Sequence, residues 1–227
     1  MDKAEDDFGN VVAIVPALNE ENGIARVITP LKSMGVGAVV VVDGNSTDRT
    51  VEVAEKLGAK VILQQGRGKG MAFQTFLLRH PIDSSKFYVM LDADGSYSPA
   101  ELGSFVAALR DCDVATGARP VFIHSLRSLF HVIGGSLISL LGSALYRHYN
   151  PDICTGYWGF RGSALVALAP AITAKGFDLE ADLFSQSAKK GLKMRLVPIS
   201  YSKRVGKSKL SFPDGLKIVA RLLQDRL

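Results

Sequence analysis

The chain has 227 residues, of which 47% are hydrophobic, so it is long and apolar enough for one α/β domain with a sizeable core. Its formal net charge is +5, from 27 Lys and Arg residues against 22 Asp and Glu residues. This mild excess suits a phosphate-bearing substrate or an anionic membrane surface. Nucleic acid is not expected as a partner, because the chain has no helix-turn-helix, RNP-like or zinc-finger pattern.

In the first half of the chain, apolar strand patterns alternate with helical ones. The predicted strands are Val11–Pro16, Ala38–Val42, Lys60–Leu63, Phe87–Leu91 and Val114–Gly117. The predicted helices between them are Glu20–Met34, Asp48–Leu57, Gly70–Arg79 and Pro99–Arg110. Repeated βα units of this length predict a Rossmann-like, mostly parallel central sheet flanked by helices. Pro16 is expected to end the first strand, since it cannot donate to a ladder.

The second half of the chain breaks this alternation. Ser128–Tyr146 contains no Asp, Glu, Lys or Arg, while Arg127 and Arg147 bracket it. The segment barely reaches the ~20 apolar residues of a membrane span. We expect helices at a membrane interface here, with core helices of a soluble protein as the alternative. The remaining predicted elements are strands at Tyr157–Arg161 and Lys193–Ile199, and helices at Leu179–Lys190 and Asp214–Leu227.

No linker or internal repeat divides the chain, so residues 1–227 are predicted to form a single domain. The first residues are acidic and polar, unlike a signal peptide, and the two cysteines, Cys112 and Cys154, do not form a CxxC pair. These features predict a cytoplasmic protein with buried thiols. The oligomeric state is not predicted by the sequence.

The strongest chemical signal is Asp92-Ala93-Asp94, which closes the apolar run Phe87–Leu91. Two carboxylates at the carboxyl end of a strand can both reach a cation just outside the sheet, where open α/β sheets bind ligands. Their hard oxygen atoms suit Mg²⁺ or Mn²⁺, which usually bridge to substrate phosphates. Taken alone, the triplet is also compatible with a loop of two solvated aspartates before Gly95.

Three further clusters follow predicted strands. Pro16-Ala-Leu-Asn-Glu-Glu21 opens a helix, and Asp43 ends the valine-rich strand before a turn and a helix cap. Gly66-Arg-Gly-Lys-Gly70 lies between a strand and a helix, where glycines let backbone amides approach an anion. A flexible basic loop is an equally good interpretation of this last cluster.

In this order and spacing, the clusters resemble the family 2 glycosyltransferases of the GT-A fold, and among them the polyprenyl-phosphate group. Later segments strengthen the resemblance. Gly117-Ala-Arg119 is similar to the family's Gly-x-Arg, and Phe177-Asp-Leu-Glu180 to its Phe-x-x-Glu helix start. Asp152 begins a segment similar to Asp-x-x-[Ser/Thr]-Gly-[Tyr/Phe], and Gly206–Lys209 resembles a Gly-x-Ser-Lys loop that closes over the diphosphate.

The resemblance implies a role for each matching residue. The nucleoside would be contacted by Pro16, Leu18, Glu20, Val41 and Asp43. The metal and the diphosphate would be held by Asp92, Ala93 and Asp94, with the weaker ligand Ser96 where many relatives have Gln. The diphosphate would also be contacted by Lys203, Arg204, Ser208 and Lys209, although which of Lys203 and Arg204 reaches it stays open. The acceptor phosphate would be bound by Arg119 and Arg127, with Asp152 nearby.

The implied reaction is metal-dependent transfer of a hexose from a nucleotide sugar, such as GDP-mannose or a UDP-sugar, to a polyprenyl or dolichyl phosphate. Such an acceptor is already an anion, so a strong general base is not required, and direct displacement would invert the anomeric carbon. The enzyme would sit peripherally on the cytoplasmic face of a membrane. The alternative is a related transferase with a soluble hydroxyl acceptor, for which Asp152 or Glu180 would be candidate bases.

A nucleotidyltransferase and a non-catalytic nucleotide-sugar binding module are less well supported. The first would need a Gly-rich basic signature near the N-terminus, which Pro16–Glu21 does not offer. The second does not need both Asp92 and Asp94 together with Lys209.

Overall fold

The computed structural model describes residues 8–121, 126–202, 204–205 and 212–226, with side chains described except at 126–131 and 212. The strands are β1 (Val11–Ala17), β2 (Ala38–Asp43), β3 (Lys60–Leu63), β4 (Phe87–Met90), β5 (Val114–Ala118), β6 (Trp158–Arg161) and β7 (Met194–Pro198). The α-helices are α1 (Ala25–Ser33), α2 (Thr50–Lys56), α3 (Lys69–Arg79), α4 (Leu102–Leu109), α5 (Leu126–Tyr146), α6 (Gly162–Leu168), α7 (Leu179–Lys189) and α8 (Phe212–Gln224). Short 3₁₀ turns occupy Phe8–Asn10, Pro99–Glu101 and Ala169–Ala171.

The strands form one sheet in the order β3-β2-β1-β4-β6-β5-β7. All neighbouring pairs are parallel except those of β6, which runs antiparallel to both β4 and β5. The predicted mostly parallel α/β sheet is therefore confirmed. Because β1, β2 and β4 run the same way, their carboxyl ends meet at one edge, next to the middle of the sheet.

Both faces of the sheet are covered by apolar packing. Along β2, Val39 and Val41 join the cluster on one face, while Val40 and Val42 join the cluster on the other. This alternation follows from the two-residue period of a strand. A strand apolar at every position is buried on both faces, as expected for a parallel sheet between helices.

The first strand continues through Pro16, contrary to the prediction that this proline ends it. Pro16 pairs in register with Val42 of β2. The carbonyl of Ile14 accepts from Leu91 on the β4 side, so the missing N–H of Pro16, two residues on, also faces that side. Pairing of β1 with β4 ends at Ile14, so no ladder hydrogen bond is lost there.

The first helix starts later than predicted, at Ala25 rather than Glu20. Residues 20–24 instead form a turn in which the Glu20 carbonyl accepts from the amides of Gly23 and Ile24. Gly23 packs against the backbone of Ala93 and Asp94, where an added Cβ atom would lie 2.9 Å from both residues. This close approach brings the 19–24 turn against the Asp92–Asp94 loop.

The apolar segment after β5 forms one helix, α5, which packs against α7 and α8. Ile133, Leu137 and Leu140 follow helical spacing and are exposed, whereas Ser139 is buried. On α8, Leu216 and Leu223 are exposed as well. Among the helices of the described part of the chain, none has the length and apolarity needed to cross a membrane.

Candidate active site

A cleft of about 520 Å³ opens at the carboxyl ends of β1, β2 and β4. Among the residues predicted to bind the nucleotide or the metal, those that line it are Pro16, Leu18, Glu20, Asp92, Ala93, Asp94 and Arg204. The cleft is completed by Gly44, Asn45, Gln64, Arg67, Gly68, Lys69, Ala72 and Phe177, together with Ala17. The sheet thus gathers most of the predicted nucleotide and metal residues around one opening.

The Asp92–Asp94 loop leaves β4 at the floor of the cleft. Asp94 is 5% exposed, and its Oδ1 accepts from the amide of Ser96 at 2.9 Å and from the Ser96 hydroxyl at 2.6 Å. Ser96 is itself 1% exposed, so its hydroxyl orients Asp94 and does not face the cleft. We therefore leave Ser96 out of the proposed metal ligands. Asp92 lies beside Gly156, where an added Cβ atom would be 2.4 Å from Asp92 Oδ2.

Lys69 reaches Asp92 from the opposite wall. Its Nζ lies 2.5 Å from Asp92 Oδ1 and 2.5 Å from Glu180 Oε1, and its side chain is only 11% exposed. Burial alone would lower the pKa of Lys69, but the two carboxylates outweigh it and raise the pKa above its usual value. Lys69 is therefore a charged, shared partner of both carboxylates.

Glycines on both sides fix the backbone of Lys69. An added Cβ atom at Gly68 would lie 2.5 Å from the Lys175 carbonyl, and one at Gly70 would lie 2.1 Å from the Ala174 carbonyl. The Gly70 amide also donates to the Gly176 carbonyl at 3.0 Å. The 66–70 loop is therefore docked on the segment before α7, which carries Glu180. The sequence left open a phosphate cradle or a flexible loop, and the structure shows a docked loop that presents Lys69.

Arg204 reaches the second carboxylate of the pair. Its Nη2 lies 3.2 Å from Asp94 Oδ2 and 3.5 Å from Glu20 Oε1. The backbone helps to hold this segment, because the amide of Val205 donates to the Asp94 carbonyl at 3.1 Å. Of the two candidates left open by the sequence, Arg204 is described and lies in the cleft. Lys203, Ser208 and Lys209 lie outside the described residues.

Asp43 and Val41 do not line the cleft. Val41 is fully buried in the core, and Asp43 is 1% exposed. The Asp43 carboxylate accepts from the Ser46 amide at 2.9 Å and from the Ser46 hydroxyl at 2.5 Å. The Ser46 hydroxyl in turn accepts from the amide of Asn19 at 2.8 Å. Asp43 therefore joins the loops after β1 and β2, and neither Val41 nor Asp43 belongs to the contact surface that we propose for the nucleoside.

Arg119 and Asp152 form a bidentate ion pair near the end of β5. Arg119 Nε and Nη2 donate to the two Asp152 oxygens at 2.7 and 2.6 Å. The guanidinium carbon also lies 5.3 Å from the centroid of the Tyr201 ring. Arg119, which was predicted to bind the acceptor phosphate, is thus already paired with Asp152, which was expected nearby. The backbone of Arg127 lies in the first turn of α5, and its side chain is outside the described part of the chain.

Sequence reasoning missed the residue with the closest ionic contacts in the cleft, Lys69. The available signal was its position between two glycines in a loop that follows a strand, which marks a backbone packed tightly against another segment. The sequence could not show that residues 174–176 are the segment against which this loop packs. Gln64 was missed as well, and its Nε2 donates to the carbonyls of Gly66 and Gly68 at 3.3 and 2.9 Å.

The carboxylates at the cleft floor fit a hard divalent cation. The described residues contain no group of three or more His, Cys, Asp or Glu side chains arranged to hold a metal ion. Mg²⁺, however, is usually held by one or two carboxylates together with substrate phosphates and water. Asp92 and Asp94 meet that requirement when a phosphate-bearing ligand supplies the remaining oxygens.

Comparison with known proteins agrees with this geometry. The model of glycosyl transferase family 2 matches residues 12–168. A dolichyl-phosphate hexose transferase of Haloferax volcanii is 30% identical, over 97% of both chains. The glycosyltransferase AglJ and the low-salt glycan biosynthesis hexosyltransferase Agl6 of the same organism are 30% and 32% identical. The chain spans only 64% and 55% of the length of these last two relatives.

Solved structures show the same fold. Glucosyl-3-phosphoglycerate synthase of Mycobacterium tuberculosis, in complex with Mn²⁺, UDP and glucosyl-3-phosphoglycerate, superposes with a TM-score of 0.74 at 22% identity. The superposition covers 95% of this chain and 79% of that one. The GT-A fold inferred from the motif order is thereby confirmed. Since the family model matches more than half of its residues, the chain belongs to glycosyl transferase family 2.

Proposed function

We propose that the chain transfers a hexose from a nucleotide sugar to a polyprenyl phosphate in a metal-dependent reaction. The observation that carries the proposal is the pair Asp92 and Asp94, which lines a cleft at the carboxyl edge of a parallel sheet. Clefts at this edge are where open α/β sheets bind nucleotides. Two carboxylates there suit a cation that is shared with a diphosphate.

The relatives and neighbours support the donor class. The solved glucosyl-3-phosphoglycerate synthase was crystallised with Mn²⁺ and UDP-glucose. We propose the same donor class here, with the nucleoside against Pro16, Leu18 and Glu20, and the diphosphate above Asp92–Asp94. The cleft of about 520 Å³ falls within the ~300–1,000 Å³ range of small-molecule sites.

In this proposal Mg²⁺ or Mn²⁺, bound by Asp92 and Asp94, would neutralise the negative charge that develops on the departing nucleoside diphosphate. Arg204 lies beside Asp94 and would contribute positive charge to the same leaving group. Lys203, Ser208 and Lys209 remain proposed diphosphate contacts on sequence grounds. Each of these groups acts mainly on charge that appears as the glycosidic bond breaks.

The acceptor side is proposed from chemistry and from one relative. A dolichyl-phosphate hexose transferase is similar over nearly the whole chain, and a lipid phosphate is an anion that needs no general base. Arg119, held by Asp152, and Arg127 at the start of α5 are the proposed contacts for the acceptor phosphate. Direct attack by the phosphate oxygen would invert the anomeric carbon, so an α-linked donor would give a β-linked lipid phosphate.

A long isoprenoid acceptor requires contact with a membrane surface. The exposed leucines of α5 and α8 support a peripheral association with the cytoplasmic face of a membrane. A soluble hydroxyl acceptor is the competing proposal. It is favoured by one finding, the solved neighbour with phosphoglyceric acid bound. In that case Asp152 or Glu180 would act as the base.

The deciding experiment is a transfer assay with a panel of nucleotide sugars, Mn²⁺, and either a polyprenyl phosphate or 3-phosphoglycerate as acceptor. We expect a glycosylated lipid phosphate whose anomeric configuration, read by NMR, is opposite to that of the donor. Glycosylation of 3-phosphoglycerate alone would establish the soluble-acceptor alternative. A product with retained configuration would exclude direct displacement.

A further inference from the structure

Lys69 bridges the first proposed metal ligand, Asp92, and a carboxylate outside the metal pair, Glu180. It contacts Asp92 on one side and Glu180 on the other, each at 2.5 Å. Glu180 is 6% exposed, and its carboxylate cannot turn to bulk water. Two carboxylates that share one buried ammonium repel each other once it is removed, because their charges are screened little at such sites.

The backbone of Lys69 is held in place by packing against another segment of the chain. Gly68 and Gly70 press its backbone against residues 174–176, as the close approach to the Ala174 and Lys175 carbonyls shows. Glu180 follows in the first turn of α7. The docked loop thus carries the ammonium, and the start of the helix that follows residues 174–176 carries one of its two carboxylates.

A divalent cation bound at Asp92 would be repelled by the Lys69 ammonium. Lys69 Nζ already contacts Asp92 Oδ1, so a cation that uses the same carboxylate is placed within a few ångströms of a positive charge. A free cation is disfavoured by that repulsion, and its binding also disturbs an existing ion pair. A cation that arrives with a diphosphate differs, because the phosphate oxygens supply negative charge for Lys69.

We propose that Lys69 is a positioning residue that keeps Asp92 and Glu180 in place and reserves Asp92 for a cation bound to a diphosphate. This inference rests on the proposed function, whose donor is a nucleotide diphosphate sugar. Arg204 supports the same arrangement at the second carboxylate, where it lies 3.2 Å from Asp94. Each proposed metal ligand thus has its own side-chain counter-ion, and the two together carry the charge of one divalent cation.

The test measures binding of Mn²⁺ alone, by the electron paramagnetic resonance signal of the free ion, with no nucleotide present. In Lys69→Met the competing ammonium is gone, so we expect Mn²⁺ to bind about tenfold more tightly than in the wild type. In Glu180→Gln the ammonium is left to Asp92 alone, so we expect Mn²⁺ to bind more weakly. Addition of UDP should tighten Mn²⁺ binding much more in the wild type than in Lys69→Met.

Lys56→Met is the matched control, because Lys56 is an exposed lysine that pairs only with Glu52 in the same helix. If Lys69→Met fails to fold because Glu180 is left uncompensated, Lys69→Met/Glu180→Gln is compared with Glu180→Gln, and the tenfold gain is expected there. Unchanged or weaker Mn²⁺ binding on removal of Lys69 in a folded protein overturns the inference. That outcome is separate from the proposed function, which is tested by the transfer assay with the wild-type protein.

Discussion

Asp94 combines a fixed orientation with access to the cleft. Two donors from Ser96 hold Oδ1, while Oδ2 faces Arg204. Asp94→Asn can keep an acceptor toward Ser96 but loses the charge that a divalent cation requires. We expect Mn²⁺-dependent turnover to fall by at least about 100-fold, in line with losses of electrostatic stabilisation at other active sites.

The measurement is kcat at saturating nucleotide sugar, together with a thermal melt to show that the fold is kept. Asp111→Asn is the control, since the Asp111 side chain is 67% exposed and does not line the cleft. Turnover of Asp94→Asn near that of the control would contradict the proposed site.

The Arg119–Asp152 pair is expected to stabilise the fold whatever its role in the reaction. The Asp152 side chain is 15% exposed, so removal of its partner leaves a mostly buried carboxylate without its counter-ion. Arg119→Met should lower the free energy of unfolding by about 3 kcal/mol. Arg195→Met, which breaks a pair with Asp111 at 3.7 Å on the surface, should lower it by less than about 1 kcal/mol.

Urea unfolding followed by circular dichroism gives both free energies. If Arg119→Met and Arg195→Met lowered the free energy of unfolding by equal, small amounts, burial of the Arg119–Asp152 pair would not contribute to stability. A large loss for Arg119→Met also means that any loss of activity in this variant has to be corrected for the fraction folded.

At the scale of elements, the site depends on close backbone packing between the 66–70 loop and the segment before α7. Gly70→Ala would bring a methyl group within 2.1 Å of the Ala174 carbonyl, which is a backbone atom. We expect the free energy of unfolding to fall by about 1–3 kcal/mol, because the two segments must separate. Urea unfolding measures this effect.

Gly134→Ala is the matched substitution in a helix, where the added methyl group meets no described atom within 4 Å beyond its chain neighbours and the backbone of its own helix. There we expect a gain of about 0.5–1 kcal/mol, since glycine is a poor helix former. If Gly70→Ala left the free energy of unfolding unchanged, the 66–70 loop would be free to move away from the segment before α7. In that case Lys69 would not be held in place.

At the scale of the whole molecule, α5 and α8 present apolar side chains to solvent on a protein of net positive charge. On α5, Leu137 and Leu140 are 61% and 67% exposed. If this surface meets a membrane, Leu137→Glu/Leu140→Glu should abolish co-flotation with vesicles that contain anionic phospholipid. Burial of the apolar face and attraction to anionic lipid would both be lost.

Leu78→Glu on α3 is the control, because Leu78 is 74% exposed but lies on a different helix. Flotation of the double variant at the wild-type level, or no flotation of the wild type, would remove the membrane from the proposed function. The transfer reaction would then be expected to use a soluble acceptor.

The sequence by itself determined the α/β class, the parallel direction of the first strands and the position of Asp92 and Asp94 at the end of one of them. These features depend on local patterns: an apolar strand of four to six residues, the turn after it, and the polar residues at its end. The parallel βα repeat then places those ends on one edge of the sheet. Glycosyl transferase family 2 was recognisable for the same reason, since its motifs occupy these strand ends.

Only the tertiary structure decided which charged side chains form ion pairs with each other. Lys69 is 111 residues from Glu180, and Arg119 is 33 residues from Asp152, so no local pattern could pair them. The structure also showed that Asp43 holds a loop and that Val41 is buried. Ion pairs and burial depend on distances between segments, and those distances are set by how the helices and loops pack on the sheet.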